Sequence, residues 1–178
     1  MKNKSVQWIV HTAMGVALVI VAQYLGNLVP AIATIFGPFN VKQLITGTLV
    51  NCILLVFTAV AGLASGAVIG VLSSVLAAAM GISNIVVSPL VAVGNVLLCV
   101  LYRLIAPRTH HLAGMAIGAV VKCAFLWVSV PMLLGVADLP AQQTAMLSVM
   151  FSWPQGITAL CGGLLSWPII PRVTRHKT

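Results

Sequence analysis

Lys122 stands in the middle of the apolar run GAVVKCAFLW, residues 118–127, in a chain whose single acidic residue is Asp138. A charge carried into a bilayer is costly, and residues of this kind mark ligand or ion sites. Lys122 lies about 11 residues from either end of its apolar span, roughly 16 Å of helix, so its four-carbon stem cannot bring the amine to a surface. Asp138 falls in the next loop, out of reach along the helix unless that loop folds back into the bundle. Three states are open for the amine: it is neutral, it faces water and carbonyls in a cavity, or it awaits an anion from outside. The chemistry it offers is recognition of a carboxylate, a phosphate or an electron-rich ring atom.

The residues that could complete such a site follow from helical spacing, because side chains three and four apart share a face. Around Lys122 that face reads Gly114, Gly118, Lys122, Phe125, Ser129. Comparable polar faces are Gln43, Gly47, Asn51, then Asn84, Ser88, Ala92, Asn95, then Thr144, Ser148, Ser152, Gln155. Counted inward from one end, Asn51, Asn95 and Gln155 lie as deep as Lys122. The candidate substrate-binding set is therefore Lys122, Asn95, Asn51, Gln155, Trp153, Ser152, Phe125, Asn84 and Ser88. Pro154, mid-helix, is expected to free one backbone carbonyl, which a membrane tolerates only beside a cavity or a neighbouring helix. Trp153 beside it offers a stacking surface for a flat ligand. Each Asn or Ser also has a plainer use, since such side chains hydrogen-bond helices to one another in membranes at about 0.6 kcal/mol apiece.

The elements that must position these residues are set by composition. The chain has 178 residues, 61% hydrophobic and 6% charged, with a mean hydropathy of +1.14. That is more apolar surface than a soluble core of this size can hide. The apolar stretches fall at about 6–26, 43–61, 63–80, 85–105, 112–134 and 142–170. None alternates apolar with polar positions as a barrel strand would. The expected fold is an all-α integral membrane protein, a six-transmembrane-helix bundle forming one membrane domain over residues 1–178. The run from Leu44 to Met80 is too long for one span of about 20 residues, and a reversal is expected at VAGLASG, residues 60–66. Cutting there places Lys2, Lys4, Arg103, Arg108, Arg172, Arg175 and Lys177 on one side and leaves only Lys42 in a loop on the other. Basic residues collect on the cytoplasmic side, so both termini are expected there. The net charge of +8 then reflects topology, and no nucleic-acid partner is expected.

Several classes are disfavoured by what is missing. No G-x-x-x-x-G-K-[ST] loop is present, so ATP hydrolysis would fall to a partner. Metal-dependent lipid transferases hold their cation through paired carboxylates, and one aspartate cannot supply them. His110 and His111 are adjacent rather than three or four apart, a weak metal pattern, and with His11 they sit near the basic ends. Cys52, Cys99, Cys123 and Cys161 lie inside spans without a C-x-x-C pair and are expected to be reduced packing residues. No metal, cofactor or catalytic residue is expected.

Small residues form a second pattern. Ala13 and Ala17 recur at four in the first span, and Gly62, Gly66 and Gly70 at fours in the third. Such faces let helices approach closely, and Ala13, Ala17, Gly66 and Gly70 are the candidate partner-docking residues. With the A-x-x-x-A of the first helix and the run QLITGTLVNCILLVFTAVAGLASGAVIGVLSSVLAAAMGI, the chain resembles the substrate-binding S components of energy-coupling factor transporters, which take up vitamins and related micronutrients in bacteria and archaea. The resemblance covers nearly the whole chain. It implies a cup in the cell membrane open to the outside through helices four to six. It also implies docking through Ala13 and Ala17 onto a transmembrane coupling subunit that carries two ATP-binding-cassette ATPases. The ligand it leaves open: a vitamin, a vitamin precursor or an amino acid would suit a lysine, amides and a tryptophan. The rival readings are a small membrane-embedded enzyme acting on lipids and a purely structural membrane subunit.

Overall fold

The computed structural model describes residues 4–29, 34–36, 39–137 and 139–175; Asp138 lies outside them. Seven helices make up nearly all of the described fold. They are α1 (Lys4–Asn27), α2 (Val41–Ala61), α3 (Leu63–Ala79), α4 (Ser88–Ile105), α5 (His111–Val136), α6 (Ala141–Met150) and α7 (Trp153–Arg175). In the stretch between α1 and α2, β1 (Thr34–Phe36) pairs antiparallel with β2 (Phe39–Asn40). Four helices are individually long and apolar enough to cross a membrane, and the stretch Ala141–Thr174, holding α6 and most of α7, is a fifth candidate; α3, with 17 residues, is shorter. Large apolar side chains point outward along them, including Val21, Leu25, Val120, Trp127, Val128 and Leu164, as lipid-facing surfaces require.

The boundaries follow from local chemistry. Asn40 caps α2 by accepting a hydrogen bond from the Gln43 backbone N–H at 2.8 Å, satisfying one of the donors every helix start leaves free. The reversal between α2 and α3 needs one residue: Gly62 adopts φ +95°, a conformation closed to most side chains. The reversal thus lies inside the expected segment, and Ser65 is free to join α3 and meet the Thr12 hydroxyl of α1 at 2.9 Å. Gly81, at φ +68°, ends the α3 region, with the Ile82 N–H returning to the Ala77 carbonyl at 2.8 Å. Pro89 stands in the first turn of α4, where its missing N–H costs nothing.

The expected sixth helix is two. The chain breaks at Phe151–Ser152, between α6 and α7, and Pro154 sits in the first turn of α7. The reason is that Pro154 has no N–H to offer the Met150 carbonyl four residues back. That carbonyl instead accepts from the Gln43 side chain of α2 at 2.6 Å. The freed carbonyl expected from Pro154 therefore exists, but at a helix junction and already partnered.

α2 is the central helix, packed on α1, α3, α4 and α7, while α5 packs on α4, α6 and α7. Polar ties fix the alignment in two layers. At one end of the bundle the Gln23 amide of α1 donates to the Ser73 carbonyl of α3 at 2.7 Å. At the other, Tyr102 of α4 meets His111 of α5 at 2.8 Å, and His111 meets Ser166 of α7 at 3.4 Å. Apolar clusters fill the space between: Val19, Leu54, Phe57 and Ile69 in one, Leu55, Leu98 and Met115 in another. Val87, Leu126, Val130, Leu134, Leu147 and Phe151 seat α6 on α4 and α5.

Candidate functional site

Lys122 is 1% exposed, and its stem runs inward from α5. Its amine donates to Oδ1 of Asn51 on α2 and to Oδ1 of Asn95 on α4, both at 2.7 Å. A protonated amine in this place keeps a third N–H beyond the two engaged. Of the states left open by sequence, the geometry matches an amine facing carbonyls in a cavity, the carbonyls being side-chain amides.

Each asparagine is itself held so that its oxygen must face the lysine. The Asn51 NH₂ donates to the Gly47 carbonyl at 2.8 Å and to Thr158 Oγ1 at 3.4 Å. The Asn95 NH₂ donates to the Gly70 carbonyl at 3.2 Å and to the hydroxyls of Ser73 and Ser74 at 3.1 and 3.3 Å. Small residues make these approaches possible. A Cβ on Gly162 of α7 would stand 2.7 Å from the Thr48 carbonyl and 2.8 Å from the Asn51 Cβ, and one on Gly70 would stand 3.1 Å from the Asn95 Cβ.

A cavity of about 270 Å³ opens above this network. Lys122, Asn51, Asn95 and Gln155 line it together, along with Gln23, Gln43, Thr46, Ser73 and Ser74; Val50, Val91, Met150 and Phe151 supply apolar walls. Small-molecule sites run roughly 300 to 1,000 Å³ with mainly apolar walls and few convergent polar groups. This one sits at the lower edge of that range. It is built from the C-terminal parts of α1 and α3, the N-terminal parts of α2 and α4, the middle of α5 and the α6–α7 junction. That is the bundle end away from Lys4, Arg103, Arg108 and Arg172. Lys42, in the first turn of α2, also lines it, and no carboxylate does among the described residues.

Five of the candidate binding residues fall outside the cavity. Trp153 faces the opposite side of the α6–α7 junction, in an apolar groove with Cys123, Trp127, Gly156 and Leu160; the helix break turns it away, and Phe151 and Met150 take the place expected for it. The Ser152 hydroxyl returns to the Val149 carbonyl at 2.9 Å. Phe125 packs against the apolar cluster of Leu126 and Val130. Asn84 caps its own turn through the Val86 N–H at 2.9 Å, and Ser88 bonds the Asn84 carbonyl at 3.1 Å. Both serve the start of α4.

The residues that spacing did not single out are Gln23, Thr46, Ser73 and Ser74. α1 and α3, on which no polar face was identified from spacing, contribute three of them. Gln23, the first polar residue after the apolar run from Ala13 to Ala22, was the available signal. Of the small-residue set, Ala13 and Ala17 are exposed on α1. Gly66 and Gly70 are buried, turned toward Thr58 and Asn95. They are internal packing positions, not an outward docking face, because α3 needs that side to seat α2 and α4.

No group of His, Cys, Asp or Glu able to hold a metal occurs among the described residues, and the four cysteines are free thiols. Comparison with known proteins adds no relative: no family model, curated protein or solved structure matches the chain.

Proposed function

We propose that this chain captures a small nutrient on the outer side of a cell membrane, as the S subunit of an energy-coupling factor type transporter does. On this reading six segments cross the bilayer, α6 and α7 together forming the last, with both termini cytoplasmic. The observation that carries it is the buried Lys122 amine, held between Asn51 and Asn95 beneath a cavity that opens at the end of the bundle poorer in basic residues. Cytoplasmic ends collect Lys and Arg, so such a cavity faces outward. Interhelical bonding alone would not require an ammonium there, since a neutral amide ties helices at no cost in buried charge. A ligand acceptor gives the third N–H a purpose.

Energy for release would come from a coupling subunit bearing two ATP-binding-cassette ATPases, docked on the exposed Ala13 and Ala17 face of α1. A lipid-modifying enzyme is the weaker reading, because no His, Cys, Asp or Glu able to hold a metal lines the cavity among the described residues.

Mass spectrometry of the detergent-purified protein is expected to find a retained small molecule at near-stoichiometric amounts. Lys122→Met is expected to remove it while the protein still elutes as one monodisperse species. An unchanged load in Lys122→Met, or a purified protein carrying only lipid, would sink the proposal.

A further inference from the structure

The α1–α2 wall of the cavity carries the information about ligand chemistry. Gln23 is 2% exposed, and its NH₂ is committed to the Ser73 carbonyl. Gln43 is committed likewise to the Met150 carbonyl. Because a carbonyl can only accept, each amide is fixed with nitrogen toward the backbone, and each Oε1 is the end left over. Both Oε1 atoms are buried without a hydrogen-bond partner among the described residues, and so is Thr46 Oγ1. All three residues line the cavity. Gln43 and Thr46 are one turn apart on α2, and Thr46 lies against Gly26 of α1, one turn from Gln23. The α1–α2 wall thus holds two buried amide oxygens that can only accept and, beside them, a hydroxyl that can accept or donate. An orphaned buried acceptor costs about 1–3 kcal/mol, so the two amide oxygens call for donors.

The same lining carries positive charge: a protonated Lys122 has a donor to spare, and Lys42, one residue before Gln43 on α2, adds a second cation. A cationic ligand would meet two like charges with no carboxylate among the described lining residues. Val50, Val91, Met150 and Phe151 add apolar lining, suited to a flat ring.

Building on the capture reading above, we infer that the ligand is a neutral or anionic nitrogen heterocycle of one or two rings, which turns ring N–H donors to Gln23, Gln43 and Thr46 and a carbonyl or carboxylate to Lys122. Lactam- and ureide-type rings bearing an acid have this arrangement. Quaternary or protonated cations do not.

The test is calorimetric titration of the purified full chain with three probes, orotate, urate and pterin-6-carboxylate, each beside its ring-N-methylated counterpart, and with 1-methylnicotinamide as a cation of similar size. At least one parent compound is expected to bind, its N-methylated form about 10–100-fold more weakly, the equivalent of one or two lost bonds to buried acceptors, and the cation not at all. Gln43→Leu is expected to narrow the gap between parent and methylated form by weakening only the parent. Equal binding of parent and methylated forms, tighter binding of the cation, or no binding by any of the three parents would overturn the inference. The retained compound in the purified protein decides the capture reading separately: a cation or a ring lacking N–H in the load would overturn the ligand class while leaving capture intact.

Discussion

Asn51 and Asn95 do for Lys122 what a carboxylate does for most buried lysines, but without neutralising it. Two amide oxygens would solvate a protonated amine there and leave its charge uncancelled. Asn95→Asp tests that difference. A carboxylate at this position is expected to pair with Lys122, the Ser73 and Ser74 hydroxyls turning to donate to it. The ion pair is expected to offset part of the lost donor to the Gly70 carbonyl, so that melting temperature falls less than in Asn95→Leu, while affinity for an anionic compound falls at least tenfold by calorimetry. Asn95→Leu has another fate: it strips the lysine of one acceptor and the Gly70 carbonyl of a donor, and is expected to destabilise the fold by about 1–3 kcal/mol in denaturant titration. Lys122, Asn51, Asn95 and Gln155 were legible in sequence because amides and ammoniums are rare in apolar helices and their depth can be counted. Ser73, Ser74 and Thr46 were not. Hydroxyls in membrane helices commonly bond their own backbone, as the Ser73 hydroxyl does with the Gly70 carbonyl at 2.7 Å, so their presence alone says little about where they face.

The helices were legible to within a few residues, because long apolar runs allow few other structures in lipid. What each proline or glycine does inside them was not. Pro154 reads equally as a kink or as the start of a new helix, and the deciding partner, Gln43, is more than a hundred residues away on α2. Gly66 and Gly70 show the same ambiguity, since small-residue spacing marks a close approach but not whether the neighbour belongs to the same chain. The two small faces now separate by experiment. Gly66→Leu would drive a side chain into Thr58 and Cys99 and is expected to lower stability by about 1–3 kcal/mol. Ala17→Leu, on an exposed stretch of α1, is expected to leave the melting temperature within experimental error while abolishing co-purification of the ATPase pair. A stable Gly66→Leu protein that loses its partners would instead return the docking role to α3.

At the scale of the molecule, two asymmetries coincide: the cavity lies at one end of the bundle, and most of the described basic residues lie at the other. Lys4, Arg103, Arg108 and Arg172 share one side only if an even number of segments crosses the bilayer, and that in turn requires α3 to span. With 17 residues it reaches about 25 Å, against a hydrocarbon core of roughly 30 Å. Local thinning of the bilayer closes a mismatch of this size at a cost of fractions of a kcal/mol per Å. Lys42→Cys and Arg108→Cys, each made in a background with Cys52, Cys99, Cys123 and Cys161 replaced by Ala, measure the arrangement directly. In intact cells a membrane-impermeant maleimide is expected to label Lys42→Cys, and an excess of the captured compound to slow that labelling because residue 42 lines the cavity. Arg108→Cys should react only after the membrane is opened. The reverse pattern would turn the cavity toward the cytoplasm and make uptake from outside untenable. Labelling of both positions in intact cells would place residues 42 and 108 on the same side, so that the α2–α4 segment between them crosses the bilayer an even number of times and α3 fails to span.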